Sequence, residues 1–234
     1  MTEELFREDA YAPSCEAVVA AASDDGVCLD RTVFYPMGGG QPGDHGRLIL
    51  TDGGLLEVVD TLKGPAGIVH RLAEGGAVPE VGAELIAEVD WSRRHRLMRM
   101  HSAMHLLCAA VDHAVTGGQV GEQKSRLDFD VAGAQLDKEA IGQQLQLWIA
   151  EDHPIRHFWI DAEELQARPE LVRTMSVRPP TTAGKVRLVE IEGIDLQACG
   201  GTHVRSTGEI GAVQIGKIEN KGRQNRRVNL LLAE

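Results

Sequence analysis

The chain contains 234 residues, of which 43% are hydrophobic, 25% are charged and 4% are aromatic, a composition that excludes a disordered chain. No apolar run reaches the roughly 18–20 residues that span a bilayer. The first four residues include Glu3 and Glu4 and do not resemble an export signal, so we expect a cytoplasmic protein. The net charge of -11 is uneven: residues 1–90 contain 5 Lys and Arg against 17 Asp and Glu, whereas residues 91–234 contain 19 against 18.

The first 90 residues predict a small barrel or sandwich of short strands. Turn signals such as Asp24-Asp25-Gly26 separate runs of β-branched and aliphatic residues. The predicted strands lie at residues 16–20, 26–30, 47–50, 56–59 and 85–89. The stretch from Gly38 to Asp44 contains too many glycines for an ordinary turn.

Residues 91–234 predict an α+β domain. From Ser92, a plausible N-cap, to about Val115 the chain lacks Gly and Pro, and apolar residues recur at spacings of three and four, which indicates a helix. A second helix is predicted at 137–151, and its buried stripe is predicted to be Ile141, Leu145, Trp148 and Ile149. A short helix is predicted after Asp161. Strands are predicted at 127–131, 154–160, 185–191, 209–218 and 227–232.

Two pairs of potential metal ligands stand out. His101 and His105 lie four residues apart on the predicted helix, so they share one face, and Cys199 and His203 are four apart across two glycines. Three imidazoles and a thiolate are a ligand set suited to zinc. Cys108 shares the helix face but lies about 10 Å along the axis from His101, so we interpret it as core. His95 and His113 are interpreted as surface residues.

The metal could be structural or catalytic. A closed set of four protein ligands is typical of a structural site, whereas hydrolysis requires room for water. Ser102, not Glu, follows His101, which argues against the mechanism of the H-E-x-x-H proteases. A hydrolytic role therefore requires a water held by the metal and a substrate that is already reactive, such as an activated ester.

Several motifs occur in one order along the chain and together resemble a known family. They are Phe34-Tyr35-Pro36, the run Gly38 to Asp44, His101-Ser102-Ala103-Met104-His105, Cys199-Gly200-Gly201-Thr202-His203 and Thr207-Gly208-Glu209-Ile210-Gly211. This series resembles the freestanding alanyl-tRNA editing proteins, called AlaX, and the editing domain of alanyl-tRNA synthetase. The resemblance extends from about Phe34 to Asn229. Threonyl-tRNA synthetase editing domains have similar ligand pairs, but the glycine-rich run favours the alanyl branch.

The resemblance implies a β-barrel domain over 1–90, followed over 91–234 by an α+β editing domain with one Zn²⁺. It implies the medium-length form, which acts in trans without a nucleotide cofactor or a membrane. The expected activity is hydrolysis of the ester in Ser-tRNA(Ala), with Gly-tRNA(Ala) as a second candidate substrate.

Contacts with the aminoacyl end are predicted at two places. The resemblance implies that Gly38, Gly39, Gly40 and Gln41 help to enclose it, although a β-bulge is an alternative use of these glycines. It also places a polar residue that contacts the serine hydroxyl near Gln123, with Gln119 as the alternative. From the residues themselves, we predict that the backbone N–H groups of Gly200 and Gly201 stabilise the ester oxyanion.

Basic residues cluster near both ligand pairs and predict contacts with tRNA phosphates, although a solvated surface is the alternative. The predicted contacts are Arg93, Arg94, Arg96, Arg99, Lys221, Arg223, Arg226 and Arg227. Two other functions remain open at this stage. One is a tRNA-binding module with a structural zinc, and the other is a zinc hydrolase of small esters.

Overall fold

The computed structural model describes residues 2–75, 78–173, 181–182 and 184–233. The chain divides into two compact units, Met1–His95 and Arg96–Glu234. The sequence placed the boundary between residues 90 and 91, whereas the division in the structure falls inside a long helix, α1 (Trp91–Val111).

The first unit is built on a closed six-stranded barrel. Its strands are β1 (Glu3–Glu4), β2 (Ser14–Ser23), β3 (Gly26–Leu29), β4 (Arg31–Thr32), β5 (Gly46–Leu50), β6 (Leu55–Gly64), β7 (Gly67–Leu72) and β8 (Glu84–Val89). The barrel closes in the order β2-β3-β7-β6-β5-β8, and β1 pairs with β4 in parallel. The predicted barrel is therefore confirmed over the alternative of a sandwich.

Alternation of buried and exposed residues explains why these segments form a barrel. In β6, Leu56 and Val58 are buried whereas Leu55 and Glu57 are exposed, the pattern expected where one face lines a core. Strand β7 has no clear signal in the sequence, because a histidine, His70, occupies one of its buried positions and interrupts the apolar alternation.

His70 is enclosed in the barrel unit as a neutral imidazole. Its Nδ1 lies 3.1 Å from the carbonyl oxygen of Val27, and its Nε2 lies 2.8 Å from the hydroxyl of Thr32. Since a carbonyl only accepts, Nδ1 carries the proton and Nε2 accepts from the hydroxyl. Burial lowers the pKa of His70 to about 4, although the hydrogen bond to Val27 opposes the shift.

The glycine-rich run forms a tight turn in the barrel unit. The backbones of Gly38 and Gln41 exchange two hydrogen bonds, each 3.0 Å long. Gly39 and Gly40 have φ angles of 58° and 83°, a region that glycine enters without steric cost. The positive φ angles of this turn therefore account for Gly39 and Gly40 without any contact between these glycines and a ligand.

Arg94, predicted to contact tRNA, is instead fully buried. Its Nε donates to the Asp44 carboxylate at 2.9 Å, and its other nitrogens donate to the carbonyls of Ala10 and Val33 at 3.0 and 2.6 Å. Arg93 is also buried and donates to a backbone carbonyl at 2.8 Å. Both predicted phosphate contacts are therefore wrong, because these guanidinium groups are used inside the barrel unit.

Helix α1 begins two residues earlier than its predicted N-cap implies, and it also ends earlier. Asp90, not Ser92, caps it, since the Asp90 carboxylate accepts the Arg93 N–H at 3.0 Å. The helix ends at Val111 because Asp112 adopts a left-handed backbone with φ of 48°, and a strand follows.

The second unit combines helices with antiparallel sheets, as the α+β prediction states. Its elements after α1 are β9 (Ala114–Gln119), β10 (Lys124–Asp130), α2 (Lys138–Glu151), β11 (Ile155–Asp161), α3 (Ala162–Ala167), β12 (Thr181–Thr182), β13 (Lys185–Ile191), β14 (Asp195–Ala198), β15 (Val213–Lys221) and β16 (Asn225–Leu232). One sheet has the order β15-β16-β10-β9, and in the other β13 pairs with β11, β12 and β14. Over the described ranges, no helix has both the length and the apolarity to cross a membrane.

Helix α2 shows the predicted apolar stripe. The side chain of Asp137 accepts two backbone N–H groups of the first turn, and Ile141, Leu145 and Ile149 are buried. Trp148, also predicted to be buried, is only half-buried. A hydrogen bond of 2.8 Å from Gln146 to a carbonyl of β15 holds the helix on the sheet.

The buried His70 predicts a specific loss of stability in mild acid. Its pKa is about 4 in the folded chain and about 6.5 in the unfolded chain, so below pH 6.5 the unfolded state binds more protons. The free energy of unfolding should fall by about 2 kcal/mol from this group between pH 7.5 and pH 5.

Chemical denaturation of the wild type and of His70→Gln at both pH values measures this loss. The variant should lack this share of the pH dependence, whereas His45→Gln, which changes a half-buried histidine of the same unit, should retain it. Equal pH dependence in wild type and His70→Gln would contradict the assignment.

Candidate metal centre

Four side chains of the second unit converge on one point. His101 and His105 project from α1, Cys199 and His203 follow β14, and one ligand atom from each lies within 4.8 Å of the others. The Cys199 Sγ atom lies 3.6 Å from Nε2 of His101 and 3.3 Å from Nε2 of His203. The fold thus brings together ligand pairs that are 98 residues apart along the chain.

The loop after β14 folds around the sulfur atom. Arg187, on β13, donates from Nη1 to the carbonyl oxygens of Cys199 and Gly201 at 3.2 and 3.0 Å. The Gly201 N–H points to the Cys199 Sγ at 3.4 Å. That N–H is therefore engaged by the sulfur, which argues against its predicted role as an oxyanion donor. The role of Gly200 stays a prediction.

Two further side chains orient the histidines. Nδ1 of His105 lies 3.2 Å from the Asp195 carboxylate, and Nδ1 of His203 lies 3.1 Å from the Ser102 hydroxyl. Both Nδ1 atoms thus have partners, which leaves the Nε2 atoms to face the centre, as is usual for histidine ligands. These roles of Ser102 and Asp195 were not predicted from the sequence. Their positions, beside His101 and four residues before Cys199, were the available signals.

The cluster favours a thiolate. Burial by itself would raise the pKa of Cys199, but the neighbouring His101 and His203 lower it well below its usual value. Burial and the same His101 lower the pKa of His203. Burial by itself would lower the pKa of His105, but the hydrogen bonds to Asp195 and Cys199 raise it to about 9. A thiolate beside imidazoles is the form in which cysteine binds metals.

The donor set fits a zinc ion. Three imidazole nitrogens and one thiolate are ligands that zinc takes in tetrahedral sites. With bonds of about 2.0–2.3 Å, adjacent ligands of a tetrahedron lie about 3.3–3.6 Å apart. The two distances from the Cys199 Sγ, 3.3 and 3.6 Å, match that spacing. This group could therefore hold a metal ion.

One cysteine and two histidines that the sequence left out of the metal site have other surroundings. Cys108 is buried in the core, as predicted, and burial raises its pKa to about 12. His95 stacks on Trp91 with ring centroids 5.6 Å apart, and His113 is half-buried. Both histidines are therefore less exposed than the surface residues that the sequence predicted them to be.

The predicted substrate contacts differ in accessibility. Gln123 is exposed between β9 and β10, and Gln119 is exposed on β9, where its Oε1 accepts from Arg126 at 3.4 Å. Gln41 is fully buried, which argues against the predicted direct contact. Gly38 is half-buried, whereas Gly39 and Gly40 are exposed, and the contact of these three with substrate stays a prediction.

Several predicted tRNA contacts are engaged within the second unit. These are Arg96 with Glu122 at 2.6 Å, Arg99 with the carbonyl of Ile210 at 2.7 Å, and Arg227 with both oxygens of Asp128 at 2.7 and 2.8 Å. Lys221 and Arg223 are exposed at the tip of the β15–β16 hairpin, and Arg226 is half-buried beside them. The hairpin tip is therefore the more accessible of the two predicted basic clusters.

Comparisons with known proteins agree with both units. The family model of the threonyl and alanyl tRNA synthetase second additional domain matches residues 186–229, which include Cys199 and His203. The model of class II (A) tRNA synthetases matches residues 9–93.

Similar proteins extend the match to the whole chain. The alanyl-tRNA editing protein AlaX-M of Methanosarcina acetivorans is 38% identical over 100% of both chains. The AlaX-M protein of Saccharolobus solfataricus is 35% identical over 97% of this chain and 98% of its own. The alanine–tRNA ligase of Pyrobaculum neutrophilum is 38% identical over 93% of this chain but only 25% of the ligase. With its barrel, its four converging ligands and these full-length matches, the chain belongs to the family of AlaX-M alanyl-tRNA editing proteins.

Proposed function

We propose that this protein is a zinc-dependent deacylase that hydrolyses mischarged Ser-tRNA(Ala) in trans, in the cytoplasm. The observation that carries the proposal is the convergence of His101, His105, Cys199 and His203 in a chain of this family. The names of the relatives support tRNA(Ala) as the partner. Serine is the substrate that the chemistry of discrimination favours.

The argument for serine is one of selectivity. A synthetase pocket built for alanine cannot strongly exclude an amino acid that merely adds a hydroxyl, whereas a second site that hydrogen-bonds this hydroxyl rejects alanine strongly. Gln123 or Gln119 would supply this hydrogen bond. Both glutamines are exposed, which is compatible with contact to a substrate.

The residues around the cluster suggest how hydrolysis would proceed. A bound zinc ion would act as a Lewis acid toward the ester carbonyl and would orient a water. His105 and His203 would be held by Asp195 and Ser102, so that their Nε2 atoms stay aimed at the ion. The Gly200 N–H stays a predicted donor to the oxyanion. A catalytic role also requires space for a fifth group or a loosened ligand.

A panel of charged tRNAs tests the activity. Ser-tRNA(Ala) should be hydrolysed at catalytic protein concentrations, and Ala-tRNA(Ala) should be spared by a factor of about 10⁴. Gly-tRNA(Ala) shows whether a second substrate is accepted. Binding of Ser-tRNA(Ala) without hydrolysis would instead support a module with a structural zinc, and turnover of small esters alone would support a general esterase.

Metal removal tests the mechanism. We expect one Zn²⁺ per chain in the wild type, loss of deserylation on chelation and recovery on addition of zinc. Cys199→Ala should lose both metal and activity because it removes the thiolate ligand. Cys28→Ala, which changes a buried cysteine of the barrel unit, should lose neither. Wild-type turnover by metal-free protein would remove the metal from the mechanism.

The hairpin tip should contribute to tRNA affinity through phosphate contacts. Replacing both Lys221 and Arg223 with Gln should weaken binding at low salt and reduce the slope of log affinity against log salt by about two. Arg156→Gln, at an exposed arginine paired with Glu192, should leave the slope unchanged. An unchanged slope in the double variant would place the tRNA contacts elsewhere.

A further inference from the structure

We propose that Asp195 is a positioning residue that sets the affinity of the centre for its metal by fixing the tautomer and orientation of His105. The inference rests on the proposed function only in assuming that the four ligands hold a metal ion. It assigns Asp195 no contact with substrate, since the carboxylate acts through the imidazole.

The geometry places Asp195 directly behind the ligand. Its Oδ2 lies 3.2 Å from Nδ1 of His105, and the Asp195 side chain has no exposed surface. Asp195 begins β14 and is separated from Gln197 by one residue, so both side chains lie on the same, buried face of the strand. The strand that leads to Cys199 thus also carries the partner of a histidine from α1.

The hydrogen bond selects one form of the imidazole. A neutral imidazole carries a single proton, and a carboxylate only accepts, so the proton resides on Nδ1 and the lone pair of Nε2 is free for the metal. Ser102, the partner of His203, has a hydroxyl that can donate or accept. Asp195 therefore restricts His105 more strictly than Ser102 restricts His203.

Asp195 is itself held in place. Nε2 of Gln197 donates to its Oδ2 at 2.6 Å, and Nη2 of Arg173 lies 3.9 Å from its Oδ1. Arg173 also pairs with Asp112 at 2.9 Å. Asp112, Arg173 and Asp195 line one cavity of about 720 Å³. The orientation of His105 is thus set by Asp195 and by the hydrogen bond from Gln197 that holds its carboxylate.

Burying this carboxylate lowers the stability of the fold, so its presence needs an explanation. Within the described part of the chain, Oδ1 of Asp195 is buried without a hydrogen-bond partner. An unsatisfied buried carboxylate oxygen destabilises a fold, and an apolar residue of similar size would avoid that cost. The contact with His105 supplies the reason, because only an acceptor fixes the proton on Nδ1.

The test compares the metal affinity of three variants without tRNA. Zn²⁺ affinity is measured by competition with a chromophoric chelator, and Co²⁺ absorption spectra report the ligand geometry. Asp195→Asn should bind zinc about 10- to 100-fold more weakly, because the amide is a weaker acceptor and its NH₂ could instead drive the proton onto Nε2. Asp195→Glu retains a carboxylate and should recover part of the affinity.

Asp112→Asn is the matched control. It makes the same chemical change on the same cavity and removes the same kind of contact with Arg173, but Asp112 is exposed. Its zinc affinity should equal that of the wild type. Circular dichroism of the metal-free variants checks that they fold. If Asp195→Asn does not fold, Asp195→Glu takes its place in the comparison. A zinc affinity below that of the wild type and of Asp112→Asn would then support the inference, and an affinity equal to theirs would contradict it.

The outcomes are distinct. Wild-type zinc affinity and Co²⁺ spectrum in folded Asp195→Asn would overturn the inference, as would an equal loss in Asp112→Asn. A wild type that binds zinc but spares Ser-tRNA(Ala) would overturn the proposed activity and leave the role of Asp195 standing. A wild type that binds no metal would overturn both.

Discussion

The second unit depends on one contact, in which the sulfur of the half-buried Cys199 lies among three imidazoles. A thiol would ordinarily stay protonated, but His101 and His203 lower its pKa well below the usual value. The surrounding polar groups keep this arrangement in place. Arg187 holds the backbone beside the sulfur, and Asp195 holds a histidine ring. The cluster therefore needs contributions from α1, β13 and β14 together.

The barrel unit is also organised around buried polar groups. Arg94 donates to Asp44 and to two backbone carbonyls, and His70 links a carbonyl and a hydroxyl inside the unit. Burial of such groups is tolerated when their hydrogen bonds are made. Both units thus bury polar groups whose hydrogen bonds are made, but these groups have different roles. In the barrel the polar contacts are structural, whereas in the second unit they surround a group of side chains that could hold a metal ion.

The sequence predicted the elements that have one clear local pattern, but it did not predict which polar side chains are buried. Helix α1 follows from its spacing of apolar residues, and strands such as β6 follow from alternation and turn signals, whereas β7, β9 and β14 were not predicted. Arg93 and Arg94 looked like solvated charges because a run of arginines has no local sign of burial. Gln41, on the glycine-rich turn, was likewise expected to meet a substrate but is buried. The N–H of Gly201 could not be assigned without knowing that the loop wraps around the sulfur.

The sequence by itself determined the class of fold, the family and the identity of the four potential ligands, because ligand chemistry and i, i+4 spacing are visible in the chain. Only the tertiary structure decided that the two pairs meet, since a separation of 98 residues along the chain does not determine how far apart the pairs lie in space. It also decided which polar side chains face inward. The partners of the imidazoles, Asp195 and Ser102, emerge only when strand β14 and the loop that follows it pack on α1. Hydrogen bonds between distant segments depend on packing, which no local pattern records.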